Sequence, residues 1–471
     1  MAQRIRRWLR RKDRRQDPDG TTFPPELWSE IISTSLPLKD IRTLSECSKF
    51  LRNVSIPFLF KTLTIHPLAE RVTYSSDFQW PPYFQIPNYI AQVIETVAIL
   101  PKGTRRQDLS LNVGRGWVDG TDLPWIFGLL STLSKLRHLV CDRVPFTQDL
   151  LNKLVQLPLK RLELSDCVMS STPITVKVAG TLESVNLCFP PGDPQQGRVS
   201  LARILLRDSP NLTSIYLEDD VMFSMMVSAR PPSLTSLNIP AEYINDSDFV
   251  DVLTTCSSLK SLSLRGVYYT GTSVVTIPIL PHGTLPKLER YGGPFDVFPS
   301  FTNDRPSVKE LYLIFPSGFG PLPTLFPGIP TSIESVTCSF FLLDPLFALL
   351  HASFASGSLT RLTMISPEWS LDRLPQLLTT SNLAPLTNIR YFTLRSPYDI
   401  TRPNSPSDLS QVLQKSLSAL LEVYPNLEEA RMIPVDSNWE SKFAMVWTRR
   451  SGSSRWLLSR DLKEIDRWWK D

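Results

Sequence analysis

From Ile94 onward one pattern of apolar positions returns along the chain: an apolar residue, two others, an apolar residue, one other, an apolar residue. It reads Ile94/Val97/Ile99, Leu136/Leu139/Cys141, Leu159/Leu162/Leu164, Leu182/Val185/Leu187, Leu212/Ile215/Leu217, Leu234/Leu237/Ile239 and Leu259/Leu262/Leu264. After a weaker copy at Leu288/Tyr291 it resumes as Val308/Leu311/Leu313, Ile333/Val336/Cys338, Leu359/Leu362/Met364, Ile389/Phe392/Leu394 and Leu427/Ala430/Met432. Two anchors spaced by two leave a strand on one side, and the first anchor, three residues earlier, turns inward before the strand begins. Helix-like segments fall between, over Leu123–Leu136, Thr147–Leu157, Ser200–Asp208, Asp246–Cys256, Ser370–Thr379 and Ser407–Tyr424, several opening on a capping Ser, Thr or Asp.

Strand then helix, repeated, predicts a parallel sheet backed by helices. The first anchors from Leu136 to Ile389 recur about every 25 residues, a period in the range of leucine-rich repeats. The expected fold is therefore α/β: a short all-helical module at the N-terminus, then a leucine-rich-repeat solenoid with its parallel sheet on the concave side and helices on the convex side. Many copies are introduced by a turn, as in Ser209-Pro210-Asn211, Pro231-Pro232-Ser233, Cys256-Ser257-Ser258, Arg305-Pro306-Ser307, Pro330-Thr331-Ser332 and Tyr424-Pro425-Asn426. Only Cys167 stands where leucine-rich repeats place an asparagine or cysteine ladder; elsewhere that place holds Val144, Asp220, Val267 or Pro316. The copy at Leu288 runs into Gly292, Gly293 and Pro294, which predicts a break or a binding loop.

The N-terminal region follows a different rule. Pro24 and Pro25 suit the first turn of a helix that places Leu27 and Ile31 on one face, and Pro37 ends it. Asp40 is placed to cap a second helix carrying Ile41, Leu44, Cys47, Leu51 and Val54; Ser55 and Pro57 signal a third start, before Leu63 and Ile65 alternate as in a strand. The predicted domains are a basic tail over 1–20, the helical module over 21–65, a linker rich in aromatics and proline over 66–90, and the repeats with a C-terminal cap over 91–471. The last stretch, Ser459–Asp471, reads as a helix whose Trp468-Trp469 pair serves as a cap on the repeats or as a ligand clamp.

The stretch from Phe23 to about Leu63 resembles the F-box, by which receptor subunits of SCF-type ubiquitin ligases attach to the ligase adaptor. Pro24, Leu27 and Ile31 match its opening positions, Leu38 and Asp40 its middle, and Cys47, Ser48, Lys49 and Arg52 its later stretch, with Phe23 and Phe50 as departures. Together with the repeats, the chain resembles the F-box/leucine-rich-repeat receptors. That resemblance implies adaptor contact through Pro24, Leu27, Ile31, Leu38, Ile41, Leu44, Leu59 and Phe60, cullin reached through the adaptor, and a protein substrate held by the solenoid. A scaffold without ligase function, whose helical module packs on its own repeats, is the alternative.

Composition narrows the chemistry. With 42% hydrophobic and 20% charged residues, the chain can bury a long core. No glycine loop for phosphate, GxSxG elbow, HExxH or paired acidic signature is present, so no catalytic residue, cofactor or metal is expected. Six widely spaced cysteines without CxxC predict reduced, buried thiols in the cytoplasm or nucleus. Residues flanking the anchors face the expected concavity, and Arg161, Glu163, Tyr216, Glu218, Arg265, Tyr312, Arg361, Tyr391 and Arg395 are the candidate substrate contacts, tyrosine and arginine being the usual hot-spot residues. Residues 1–16 carry a local charge of +7, leaving −3 of the total +4 for the remainder, which disfavours nucleic acid as a partner. The basic run reads first as a solvated tail, with a membrane-surface helix using Ile5, Trp8 and Leu9 or a nuclear-import signal as the alternatives.

Overall fold

The computed structural model describes residues 25–66, 71–74, 79–80, 86–101, 118, 123–169, 180–189, 196–217, 223, 226, 233–246, 248–265, 280–295, 297–302, 307–314, 331–339, 358–365, 374, 378, 385–397, 406–435, 445–449 and 456–459. Residues 1–233 and 234–471 form two compact units. The basic tail, the C-terminal Trp pair and most of Ser370–Thr379 lie outside the described residues, as do Pro24 and Glu218.

The first unit opens with three helices, α1 (Pro25–Ser35), α2 (Leu38–Cys47) and α3 (Lys49–Leu59). They close a small core of Trp28, Ile32, Ile41, Leu44, Leu51 and Leu59, with Leu36, Phe50, Val54, Phe58 and Phe60 packed against it. The inward stripe of α1 is Trp28 and Ile32, and the face carrying Leu27 and Ile31 lies outside that core, with Leu27 exposed. The break between α2 and α3 falls at Ser48 and not at Ser55. Ser48 is extended and its hydroxyl accepts from the Leu51 amide at 3.1 Å, so it is the helix cap. Pro57 consequently sits in the last turn of α3, and Asp40 lies in the first turn of α2, whose cap position is Pro37.

The predicted strand at Leu63 and Ile65 is β1 (Thr62–His66), and it is the start of the repeat sheet. It pairs in parallel with β4 (Thr96–Ile99) on one side and antiparallel with β2 (Arg71–Tyr74) on the other. A short β3 (Gln79–Trp80) completes that hairpin within the expected linker, and α4 (Asn88–Ala91) leads into β4. Beyond β4 the parallel order continues through β5 (His138–Asp142), β7 (Arg161–Ser165), β9 (Ser184–Cys188) and β10 (Ser214–Leu217). A separate pair, β6 (Pro145–Phe146) and β8 (Val168–Met169), runs alongside. Helices α5 (Leu123–Leu130), α6 (Gln148–Gln156) and α7 (Gln196–Arg207) connect them. Leu154 and Val155 of α6 and Leu205 of α7 line the same apolar space as the anchors Leu159, Leu162 and Leu182, so the helices back the anchor side of the sheet.

The second unit is parallel from β11 (Ser236–Pro240) through β12 (Ser261–Arg265), β13 (Arg290–Pro294), β14 (Glu310–Ile314), β15 (Ser335–Ser339), β16 (Arg361–Ile365) and β17 (Tyr391–Pro397) to β18 (Glu429–Val435). Two antiparallel strands, β19 (Met445–Arg449) and β20 (Trp456–Ser459), follow. Helices α8 (Phe249–Thr255), α9 (Phe298–Thr302) and α10 (Pro406–Val423) lie between strands. All the anchors named above are buried, none more than 6% exposed, and the register aligns them strand on strand. The fold is α/β, a leucine-rich-repeat-like stack.

The expected break at Gly292–Pro294 is one-sided: β13 pairs with β14 along its whole length, whereas its pairing with β12 stops at Gly292. The copy lacks a third anchor because Tyr291 fills two positions. Its ring stacks on Phe301 at 5.2 Å, and its hydroxyl donates to the Pro294 carbonyl at 3.2 Å. A Cβ on Gly293 would lie 2.7 Å from that hydroxyl and 3.0 Å from the Leu264 Cβ, so glycine is what lets the ring occupy the space.

A polar ladder runs where each strand begins. The residue before the first anchor donates from its hydroxyl to the previous copy's first-anchor carbonyl: Thr181 to Leu159 at 2.8 Å, Ser233 to Leu212 at 2.8 Å, Ser307 to Leu288 at 2.8 Å, Ser332 to Val308 at 2.7 Å and Ser358 to Ile333 at 2.9 Å. Asn211 and Asn426 use the same position to reach Gly180 and Thr387. Beside it, charges alternate from copy to copy, pairing Lys61 with Glu95 and Lys160 with Glu183 in the first unit, and Lys260 with Glu289, Lys309 with Glu334 and Arg390 with Glu428 in the second. These bonds do the work of the absent asparagine ladder, whose one expected member, Cys167, is buried with its thiol on the Cys141 and Ser165 carbonyls.

Candidate functional site

Because anchors alternate with outward residues, each strand presents its intervening side chains on the other face of the sheet. In the first unit the rows are His138, Arg161, Ser184 and Ser214, and then Val140, Glu163, Asn186 and Tyr216. Glu163 is the centre: one oxygen, Oε1, meets His138 Nε2 at 2.7 Å and Arg161 Nε at 2.9 Å. Its side chain is 15% exposed and Arg161 57%, so the carboxylate is held from below and the guanidinium stands clear. Next to it, Asn186 Oδ1 is buried with no hydrogen-bond partner among the described residues. Nearer the start of this sheet Ala98, Leu100 and Val140 form a small buried apolar cluster on this side, flanked by the half-buried Thr62, Thr64 and Thr96.

The outward rows of the second unit, β11 to β18, carry five arginines, Arg265, Arg290, Arg361, Arg395 and Arg431, against two glutamates, Glu310 and Glu429. Arg290 pairs with Glu310 at 3.2 Å, Arg431 with Glu429, and Arg265 with Asn238 on the adjacent strand. Arg361 lies over the Tyr391 ring at 5.5 Å, and that tyrosine's hydroxyl donates to Glu428 at 3.3 Å. Tyr312 is 37% exposed, among the most exposed large side chains of the described residues. Desolvation pushes its phenol above the ordinary tyrosine value, while its hydrogen bond with Ser339 and the charge of Arg395 act the other way. Desolvation lowers Arg395, with Tyr312 opposing that shift. The face therefore offers flat aromatic area with directional donors beside it, an arrangement suited to binding.

The candidate contacts thus divide into two clusters. Arg161 and Glu163 meet on one face of the first unit, which Tyr216 shares; Arg265, Tyr312, Arg361, Tyr391 and Arg395 share one face of the second, where Arg361 lies over Tyr391. His138, Asn186, Arg431 and Glu429 belong to the same faces and were not among the candidates. Their signal was their position beside the anchors, the same rule that selects Arg161.

Of the helical-module candidates, Leu27 and Leu38 are 43% and 42% exposed, and Ile31 and Phe60 are half-buried. Ile41, Leu44 and Leu59 are buried in the module's own core and hold its helices together, so they do not offer a surface to a partner. No group of three or more metal-ligating side chains occurs among the described residues. No described helix is long and apolar enough to cross a membrane. The six cysteines are free thiols, Cys47 exposed and Cys141, Cys167, Cys256 and Cys338 buried. Burial pushes Cys256 up to about 11 and Cys167 up to about 12, which leaves them protonated and unreactive at neutral pH.

No protein-family model matches the chain, and no curated protein matches it. Among solved structures it is similar to one titled "Crystal structure of TLR13-ssRNA13 complex", at 14% identity and a TM-score of 0.23, over 67% of this chain and 35% of that one. The chain thus spans about a third of the length of that structure's chain.

Proposed function

We propose that the protein is a non-catalytic receptor subunit: the sheet faces hold a target protein, and helices α1 to α3 dock on the adaptor of an SCF-type ubiquitin ligase. The observation that carries the binding role is the tyrosine and arginine face of β14 to β17, where ring area and planar donors are held ready on paired strands. The adaptor role draws on the F-box resemblance and on a helical module that closes its own core while leaving Leu27 and Leu38 exposed. The contribution of such a protein is positioning, the target being brought to the transfer machinery at raised effective concentration.

A second reading has its own support. β1 follows α3 directly and pairs with β4, so the helical module is continuous with the repeat sheet. On that reading the chain is a scaffold that recruits no ligase. Co-expression of the full chain with the adaptor, followed by size-exclusion chromatography, separates the two. A stoichiometric complex that Leu27→Asp abolishes, with the thermal unfolding profile unchanged, is the outcome expected of the receptor. A folded chain that never co-elutes with the adaptor leaves the scaffold.

A further inference from the structure

The receptor reading leaves the target's chemistry open, and the second unit's face supplies it. Its outward strand positions carry a net +3, five arginines less two glutamates, and both glutamates are engaged by arginines of the same face. The excess lies around β16 and β17. There Arg361 is stacked on Tyr391, and Arg395 stands one strand over and four residues further along the strand direction, with Thr363 and Thr393 between. Four residues of strand span about 13 Å, the reach of an extended peptide bearing acidic side chains at matching intervals. Tyr312, exposed on β14 and hydrogen-bonded with Ser339, adds an apolar ring with which the stem of such a peptide can pack.

An arginine laid over an aromatic ring is pre-organised. Its rotamers are already restricted, so binding an anion costs less conformational entropy than it would for a free side chain. Lowering of Arg395 by desolvation has the same meaning: a guanidinium held away from water interacts more strongly with a carboxylate that reaches it. The threonines between the two arginines carry hydroxyls that can bond to a peptide backbone without regard to its side chains.

We propose that the β14 to β17 face binds an extended acidic peptide segment of the target, its glutamate or aspartate carboxylates held by Arg361 and Arg395. This rests on the receptor reading for its context and on the charge and stacking for its content. The test uses the full chain and fluorescence anisotropy with a fluorescein-labelled octaglutamate peptide, an octalysine peptide serving as control. Octaglutamate binds, octalysine does not, and affinity falls as salt is raised through the physiological range. Arg361→Ala and Arg395→Ala each weaken binding about tenfold, and Arg361→Lys, which keeps the charge and loses the planar fork, weakens it less. Lys153→Ala, on α6 of the first unit and away from either sheet face, leaves it unchanged.

Absence of octaglutamate binding overturns the proposal, and so does binding that the Arg361→Ala/Arg395→Ala pair leaves at full strength, which would place it on the basic residues 1–16. The same variants should still co-purify with the adaptor. Loss of the peptide signal with the adaptor complex intact therefore removes the acidic-segment inference alone, whereas failure of the adaptor complex in the wild-type chain counts against the receptor reading.

Discussion

Tyr291 and Gly293 make a single packing unit, and separating them tests how the second unit tolerates a copy without its third anchor. Replacing Tyr291 by leucine restores the residue type used most often at that position but empties the space the ring fills. The loss comprises the truncation itself at about 2 kcal/mol, the 5.2 Å stack on Phe301 at about 1 kcal/mol, and the hydrogen bond to Pro294 at about 1 kcal/mol. Allowing for partial collapse of the space, the expected cost is about 3 kcal/mol, a large share of the roughly 5–15 kcal/mol that holds a domain together. Gly293→Ala costs about 1–3 kcal/mol by overpacking, because the added carbon meets the Tyr291 hydroxyl at 2.7 Å. In the double variant the hydroxyl is gone, so the two costs should fall short of their sum by about 1 kcal/mol or more. Urea titration followed by circular dichroism reads the global effect, and hydrogen exchange of the β12 to β14 amides reads the local one. A Tyr291→Leu cost under about 1 kcal/mol, or strict additivity in the double variant, would refute the argument that the ring replaces the anchor.

Two further outcomes follow from the same structure. Ser332→Ala removes a 2.7 Å bond to the Val308 carbonyl and should cost about 1 kcal/mol in urea titrations, with faster amide exchange in β15; Ser335→Ala, on the outward face, serves as the near-neutral control. The buried thiols set a pH dependence. Cys256 is raised to about 11 and Cys167 to about 12 by burial, whereas an unfolded thiol ionises near about 8.5. The unfolded chain thus binds fewer protons than the folded one once pH passes about 8.5, and stability present in full below that value falls as pH rises toward the folded values. Urea midpoints should therefore drop between about pH 8.5 and 11, and the slope should be shallower in Cys256→Ala; an unchanged slope in that variant would show that its thiol is not the group responsible.

The repeats were legible because one constraint decides them: every copy must bury three anchors in a shared core, and Leu, Ile or Val at fixed spacing says so without reference to neighbours. Where a copy satisfied that constraint by other means, the pattern misled. Gly292-Gly293-Pro294 looks like an interruption because glycine has no side chain to pack, and only the structure shows Tyr291 supplying the missing volume from two residues away. In the helical module the spacing puts Leu27 and Ile31 on one face but does not reveal that Trp28 and Ile32 carry the core: a three-helix core of this size is chosen by which stripe carries the larger area, a comparison across helices that spacing within one helix does not contain.

The candidate site shows the same division between local and relational information. That Arg361, Tyr391 and Arg395 face outward follows from their places beside the anchors, and this much the sequence contains. That Arg361 stacks on Tyr391, or that one oxygen of Glu163 is shared between His138 and Arg161, depends on strand-to-strand register. Register in turn is fixed by the ladder of Thr181, Ser233, Ser307, Ser332 and Ser358, which in the sequence looks like ordinary turn chemistry. A hydroxyl that bonds the carbonyl of the copy before it holds two strands in step, because a slip of one residue would exchange every anchor for an outward side chain. The candidate face and the core are therefore set by one device: the bonds that align the leucines also bring the arginines and tyrosines of neighbouring copies side by side.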